Sequence, residues 1–360
     1  MTKDIQRSIY SGRKISLEVF GGSHTEEIGV KCEGLDGYTF DGEQLQTFLD
    51  RRKPKKEAFS TSRKEGDNFI VKSQMAGDKI EGEFLAVIKN SNAKSGDYSS
   101  LIKTPRPSHA DYVAWIKYGD SFDYRGGGKF SGRMTAPICI VGGICKQILE
   151  EKGIEINAYI RSIGTAVGKG YNDVDQNQFD FNNLNKDFPV LDDSDTEKMK
   201  EQIESAKVQG DSVGGSIECV IKGVPVGAGE YMFDSIESVI STLAFAVPAV
   251  KGIEFGSGFD LTKMLGSIAN DSFYYDADGK VKTKTNHNGG INGGMANGMP
   301  ITFRVAIKPT PSIAKEQDTI NLEQKTNVKL VIPGRHDSCI VPRAVAVIEA
   351  ISAIAIFDLM

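Results

Sequence analysis

Histidine is scarce in this chain, and each of its four copies falls beside glycine or arginine. His24 follows Gly21-Gly22-Ser23, His109 lies in RPSHADY, His287 in TNHNGG and His336 in GRHDSC. Imidazole is the side-chain group that titrates nearest neutrality, so a catalyst sets it where protons move. Arg106, Arg125, Arg133 and Arg335 accompany these histidines and suit bidentate capture of carboxylate or phosphate. A charge-assisted hydrogen bond to such a group contributes about 1.5–3 kcal/mol. A few arginines therefore hold a polyanion without making the whole protein basic. Residue types alone lead to an enzyme that binds a polyanion and moves protons with His24, His109 and Asp337.

The densest stretch is 106–135, RPSHADYVAWIKYGDSFDYRGGGKFSGRMT, which holds the only tryptophan and the run Gly126-Gly127-Gly128. Consecutive glycines permit φ > 0 and close backbone approach. A glycine turn leading into a helix start presents free N–H groups and a positive dipole end to an anion. A second basic stretch runs from Arg51 to Lys64, with Arg51, Arg52, Lys53, Lys55, Lys56, Arg63 and Lys64, and also suits a phosphate-rich ligand.

Other chemistries lack their signatures. The net charge of −5 gives no overall basic footprint for nucleic acid, so an anion site must be local. There is no GxxxxGK[ST] or HExxH and no GxSxG elbow, the GDSVG string at 210–214 standing after a helix rather than between a strand and a helix, and the GxG pairs at 227–229 and 256–258 lack the rest of a dinucleotide fingerprint. Five dispersed cysteines without a CxxC pair fit reduced thiols rather than a disulfide framework or metal site. The first twenty residues lack an apolar signal segment, and the apolar stretches 136–144 and 344–357 are too short or interrupted to span a bilayer. A cytoplasmic location follows.

The elements that must position these residues alternate in type. Residues 14–20 (KISLEVF) alternate as a half-buried strand that delivers the GGSH turn. Residues 41–53 read as a helix capped by Asp41, with Leu45, Phe48 and Leu49 inward. Residues 68–75 and 83–90 read as a strand pair. Residues 135–151 read as a buried helix in which Gly142-Gly143 implies close packing. Residues 170–195 read as loop or short helix, Ser194 to Glu197 as a capping box for a helix ending near Gly210, and 234–245 as an amphipathic helix. Residues 216–226, 299–308 and 328–332 read as strands, 285–298 as irregular, and 343–357 as a buried helix. With no linker or repeat, residues 1–360 form one α+β domain.

These segments together resemble the chorismate synthase family over residues 14–356. The resemblance rests on GGSH at 21–24, LDRRKP at 49–54, RPSHADY at 106–112, DYRGGGKFSGRMT at 123–135, and VKGIEFGSGF at 250–259. TNHNGGINGGMANGMPI at 285–301, KPTPSI at 308–313 and GRHDSC at 334–339 continue it in order. The chain departs from the common pattern at GGSHT, Ala58, Lys129-Phe130 and Pro248.

The resemblance implies an enzyme that converts 5-enolpyruvylshikimate 3-phosphate to chorismate by 1,4-anti elimination of phosphate. The family needs reduced FMN although nothing is oxidised or reduced overall. By resemblance His24 donates a proton toward the departing phosphate, His109 protonates the reduced flavin, and Asp337 helps to deprotonate flavin N5. Ser23, Arg51, Arg52, Arg106 and Arg133 match substrate-binding positions. Lys129, Phe130, Ser131, Ala249, Gly293, Lys308, Pro309, Thr310, Pro311, Ser312 and Arg335 match cofactor-binding ones. The implied fold has helices sandwiched between antiparallel β-sheets, assembled as a homotetramer. An external flavin reductase is the expected partner, with NADPH as direct or indirect reductant; no metal, nucleic acid or membrane is expected. A flavin oxidoreductase using the same pocket is opposed by the missing dinucleotide fingerprint. A nucleic-acid binder is opposed by the net charge and the lack of aromatic-interleaved basic repeats.

Overall fold

The first sheet grows from the strand that carries the GGSH turn. The structure is a computed structural model that describes residues 8–53, 66–90, 103–121, 123, 125–174, 181–184, 186–332 and 337–360. β1 (Ser8–Ser11), β2 (Ser16–Gly21) and β3 (Glu27–Glu33) form an antiparallel meander, with Leu17 opposite Cys32 and Val19 opposite Val30. β4 (Phe69–Val71), a two-residue ribbon of β5 (Met75–Ala76) with β6 (Lys79–Ile80), and β7 (Phe84–Lys89) follow. The sheet order is β1-β2-β3-β7-β4. Ile28, Val30 and Cys32 on β3 and Phe84, Ala86 and Ile88 on β7 are buried, so one face of the sheet is apolar.

The second sheet has the order β11-β16-β10-β8-β9. It is built from β8 (Glu155–Ile163), β9 (Ala166–Val167), β10 (Gly215–Lys222) and β11 (Val250–Phe255), all neighbours antiparallel. After the ribbons β12 (Phe273–Tyr275) with β13 (Val281–Thr283) and β14 (Ile291–Asn292) with β15 (Met295–Ala296), β16 (Ile301–Ile307) completes it. A last ribbon pairs β17 (Gln317–Asn321) with β18 (Thr326–Leu330).

Helices fill the space between the sheets. α1 (Gly42–Asp50) is capped as its sequence implies: the Asp41 carboxylate accepts from the N–H groups of Glu43 at 2.8 Å and Gln44 at 3.0 Å. α2 (Asp111–Tyr118) leads to the glycine run, and α3 (Thr135–Glu150) packs on β3 and β7. α4 (Thr196–Val208), α5 (Ile236–Ala246) and the single turn α6 (Gly266–Ala269) precede α7 (Val341–Leu359), which packs on β8, β10, α3 and α5. A Cβ on Gly142 of α3 would lie 2.4 Å from the Ala350 Cβ of α7, so the two helices meet backbone to backbone. The result is the expected α+β sandwich, with one continuous apolar core reaching both sheets. Among the described residues, no helix is long and apolar enough to cross a membrane.

Three local expectations differ. Ser194 does not cap α4: Asp192 accepts from the Ser194 N–H one turn earlier, and the Asp195 carboxylate turns to the Lys169 N–H. A cap needs its side chain aimed at the free N–H groups of the first turn, and here Asp195 has a tertiary partner instead. α5 begins at Ile236, two residues later than expected, with Ser235 as its cap through the Ser238 N–H. Residues 285–298 contain the β14–β15 ribbon, whose turn residues Gly293 and Gly294 have φ of +60° and +92°.

Glu349, in the middle of α7 and fully buried, ties three elements together. Its carboxylate accepts both terminal nitrogens of Arg51 at 2.6 and 2.7 Å and the Ala158 N–H at 3.1 Å, with Lys146 3.9 Å away. Burial pushes its pKa up, but Arg51 and Lys146 outweigh burial and hold it below the ordinary glutamate range. A depressed folded pKa contributes stability above the unfolded value of about 4.3 and loses it as pH falls through the folded value. Glu349→Gln should therefore cost about 3 kcal/mol at pH 7, at the low end for a broken buried pair because Arg51 keeps an edge in solvent. Urea unfolding should show the gap closing below about pH 4. A gap unchanged at low pH would exclude the ion pair as its cause.

Candidate active site

His24 is held by a turn that the departure at Thr25 itself closes. The Thr25 hydroxyl accepts from the Gly22 N–H at 2.9 Å and lies 2.7 Å from the carbonyls of both Gly22 and Glu27. The Ser23 N–H donates to the Gly128 carbonyl, which docks the turn on the glycine run. The Ser23 hydroxyl donates to the Arg125 carbonyl at 3.0 Å, so it accepts from His24 Nδ1 at 3.1 Å. A hydroxyl has one proton to give. That leaves Nε2 as the working nitrogen of His24.

The glycine run separates the two histidines. Gly126, Gly127 and Gly128 have φ of +56°, +87° and +52°, a left-handed path that residues with a Cβ rarely take. A Cβ on Gly126 would lie 2.2 Å from His24 Cε1, and one on Gly127 would lie 3.3 Å from His109 Nε2. Both rings thus rest against bare backbone. On the far side of His109, Nδ1 lies 2.6 Å from Asp111 Oδ1 and 3.2 Å from Arg106 Nη2. Arg106 donates to Asp111 through Nε at 2.7 Å and Nη2 at 2.8 Å, and through Nη1 to the Ser312 hydroxyl at 3.1 Å.

Asp337 connects to the turn that carries His24 by a line of hydrogen-bonded residues. Arg343 donates to Asp337 Oδ2 at 2.6 Å and to the Arg52 carbonyl at 3.1 Å. The Arg52 side chain pairs with Asp67 through Nε at 3.0 Å and Nη2 at 2.9 Å, and Arg133 pairs with the other oxygen of Asp67. Arg133 Nε donates to Asn90 Oδ1 at 3.1 Å, and Asn90 Nδ2 donates to the carbonyls of Gly22 at 3.2 Å and Thr25 at 2.9 Å. Burial pushes Asp67 up, but Arg52 and Arg133, with Arg343 behind them, hold its carboxyl below the usual range. Three guanidiniums face two carboxylates in this line, so it is net positive.

The segment 308–312 has its own unmet demands. The Lys308 N–H donates to the carbonyl of Ala249, a non-glycine residue at φ +76°. Lys308 Nζ donates to the Ser108 carbonyl at 2.6 Å, and burial together with nearby Lys251 lowers its pKa. Thr310 Oγ1 is buried with no hydrogen-bond partner among the described residues. Adjacent cations and an unpaired buried hydroxyl are what an anionic group such as a phosphate would satisfy.

Comparison with known proteins identifies the family. The family model described as chorismate synthase matches residues 15–360. The chorismate synthase of Lachnoclostridium phytofermentans is 43% identical, covering 97% of this chain and 94% of its own. That of Thermococcus kodakarensis is 43% identical, covering 96% of each. The chain belongs to the chorismate synthase family. A crystal structure of a chorismate synthase matches with a TM-score of 0.72 at 24% identity, covering 97% of this chain and 92% of that one, a likeness of fold.

Within this family member the expected site residues divide. Ser23, His24, His109, Arg52, Arg106 and Arg133 meet around the glycine run and the Asp67 line, and Asp337 joins through Arg343. Arg51 does not meet them: its guanidinium is bidentate to Glu349 and lies over the Phe48 ring. One residue of helical rotation separates it from Arg52, so neighbouring charges face opposite ways. Lys53 pairs with Asp50 at 2.5 Å on the partly exposed side of the helix end. Lys129 and Phe130 are exposed, and Ser131 caps the next turn through the Arg133 N–H. Gly293 lies at the β14–β15 turn, next to Gly294, whose missing Cβ admits Ser235. His287 is bonded to Ser257 at 2.9 Å, with its backbone N–H on Asp271, in a loop lock away from the other two rings. Arg335 and His336 lie outside the described residues, as do the basic positions from 55 to 64.

Four site residues had escaped notice. Asp111 follows His109 by two positions within RPSHADY, so its signal was in plain view. Asp67, Asn90 and Arg343 sit in unremarkable sequence, and only packing identifies them. Gly126→Ala should drive a methyl group into the His24 ring at a backbone angle that disfavours it. We expect turnover to fall about 10²-fold or more, as for a misplaced reacting group, while thermal melting shows the fold intact. A fully active variant would mean that His24 does not need this seat.

Proposed function

We propose that this chain converts 5-enolpyruvylshikimate 3-phosphate to chorismate and phosphate by 1,4-anti elimination, as a lyase of aromatic amino-acid biosynthesis. The observation that carries the reading is the hydrogen-bonded line from Asp337 to the turn of His24 through Arg343, Arg52, Asp67, Arg133 and Asn90. It joins a proton acceptor and a proton donor across a net-positive set of guanidiniums. That arrangement suits a substrate bearing carboxylate and phosphate, from which phosphate and a hydrogen leave at different ends.

His24 donates a proton from Nε2 to the departing phosphate while Nδ1 remains on Ser23. His109 turns Nε2 toward Gly127 and gives a proton from it when the ring is cationic, and Asp337, steadied by Arg343, takes a proton up. Each such transfer is worth about 10²–10⁴-fold. Arg52, Arg106 and Arg133 supply positive charge for the substrate, most of their N–H groups being used to hold their own orientation. Arg51 supports the site only through Glu349. Reduced FMN, when bound, supplies electron density as the phosphate leaves. Residues 308–312 with Ala249 would hold it, as the Thr310 hydroxyl, unpaired among the described residues, and the Lys308–Lys251 neighbourhood support, together with Lys129, Phe130, Ser131, Gly293 and Arg335. An external flavin reductase in the cytoplasm supplies the reduced cofactor, NADPH used by the chain itself being the other source.

An apolar surface supports assembly as a homotetramer. Phe233 is 89% exposed, and Met232, Phe259, Leu265 and Tyr275 are also largely exposed. Where such side chains cluster they mark contact surfaces rather than free solvent faces. Phe233→Asp should lower the mass measured by light scattering in solution, and an unchanged tetramer would move the interface elsewhere.

The function is tested by anaerobic conversion of 5-enolpyruvylshikimate 3-phosphate, followed by ultraviolet absorbance. Chemically reduced FMN, oxidised FMN, and oxidised FMN with NADPH form the three arms. Product with reduced flavin alone supports the elimination and an outside reductase; product with NADPH and oxidised flavin assigns the reduction to this chain. His24→Gln should lower the rate about 10²–10⁴-fold with reduced flavin. No product in any arm would refute the proposal.

A further inference from the structure

We infer that Asp111 is the positioning residue of His109, fixing the ring proton on Nδ1 and turning Nε2 toward the glycine run. The inference rests on the proposed role of His109 in proton transfer, to which Asp111 adds a residue outside the roles assigned so far.

The argument starts from the two neighbours of His109 Nδ1, which make opposite demands. Asp111 Oδ1, an acceptor, is 2.6 Å away, and Arg106 Nη2, a donor, is 3.2 Å away. A bare Nδ1 would set its lone pair against a carboxylate oxygen at 2.6 Å, a strongly repulsive contact. A protonated Nδ1 makes the same distance a short charge-assisted contact. Arg106 Nη2 loses nothing, because it already donates to Asp111 Oδ1 at 2.8 Å. The shorter distance decides, and the proton sits on Nδ1.

Asp111 is equipped to stay ionised in this role. It is 5% exposed, and burial pushes its carboxyl up, but the bonds from Arg106 and His109 hold it well below the usual carboxylate range. It also accepts from the Arg106 backbone N–H at 3.1 Å and stands in the first turn of α2, where the helix dipole favours an anion. Arg106 continues to Ser312, and Lys308 reaches back to the Ser108 carbonyl. The 106–111 loop is therefore braced from both sides, and the His109 ring is oriented by an aspartate that is itself locked. An aspartate with this relation to a catalytic imidazole selects its tautomer and fixes its plane.

The direct test is the ring tautomer in protein labelled with nitrogen-15 at histidine, read at about pH 8.5, above the ordinary histidine range. Only four rings contribute, and the His109 signals are those lost in His109→Gln. A neutral His109 protonated at Nδ1 supports the inference; protonation at Nε2 overturns it, because Nδ1 would then be accepting from Arg106. This readout needs no Asp111 variant to fold, and it decides the inference even if the chain forms no chorismate. The second test is kinetic. Asp111→Asn should lower kcat about 10²–10⁴-fold with KM within about threefold, and should add no further loss in the His109→Gln background. A KM rise matching the kcat loss, or additive losses in the double variant, would make Asp111 a structural staple and overturn the inference. Asp111→Glu, which keeps the charge, should recover part of the lost kcat.

Discussion

Asp67 holds two guanidiniums that would otherwise repel, and the arrangement of the site follows from that pairing. Its carboxylate is nearly inaccessible and takes Arg52 on one oxygen and Arg133 on the other. Removing an anion from such a group leaves like charges buried side by side, which is far costlier than the pair is stabilising. Because Arg52 lies just past the end of α1 and Arg133 begins the approach to α3, the same carboxylate sets the spacing of the elements that frame the glycine run. Asn90 and Arg343 extend the line to the His24 turn and to Asp337.

The interior has to be rigid for this line to hold its geometry, and the helix layer supplies that rigidity. α3 and α7 approach so closely that Gly142 and Ala350 touch, and Glu349 bolts α7 to the end of α1 through Arg51. Arg51 and Arg52 are consecutive, yet one faces the core and the other the site. The core arginine fixes the helix end from which the site arginine projects. Asp358 does the equivalent for the first sheet, accepting from the Tyr10 hydroxyl and from the Lys14 and Ile15 N–H groups.

Much of the architecture was legible because it depends on local rules. The cap at Asp41, the apolar stripe of α1, the buried periods of α3 and α7 and the alternation of β2 follow from residue type and spacing. The capping box at Ser194 failed for the opposite reason: Asp195, a residue with a good local role, had a better partner in Lys169. The described part of the basic run divides for a similar reason. Its cations look alike in sequence, but Arg51 and Lys53 are neutralised by Glu349 and Asp50, and only helical rotation aims Arg52 elsewhere.

By itself the sequence determined the site's chemical inventory and the backbone that could display it. It supplied scarce histidines beside glycine, arginines for anions, and a triple glycine able to follow a left-handed path. It also carried the ordered motifs of a chorismate synthase. What only the tertiary structure decided was partnership. The proton of His24 is directed by Ser23, two arginines are held by Asp67, and Asp337 reaches His24 through Asn90 and Arg343, residues far apart along the chain. A hydrogen bond has a range of about 3 Å, and nothing in local composition states which distant groups a fold will bring within it.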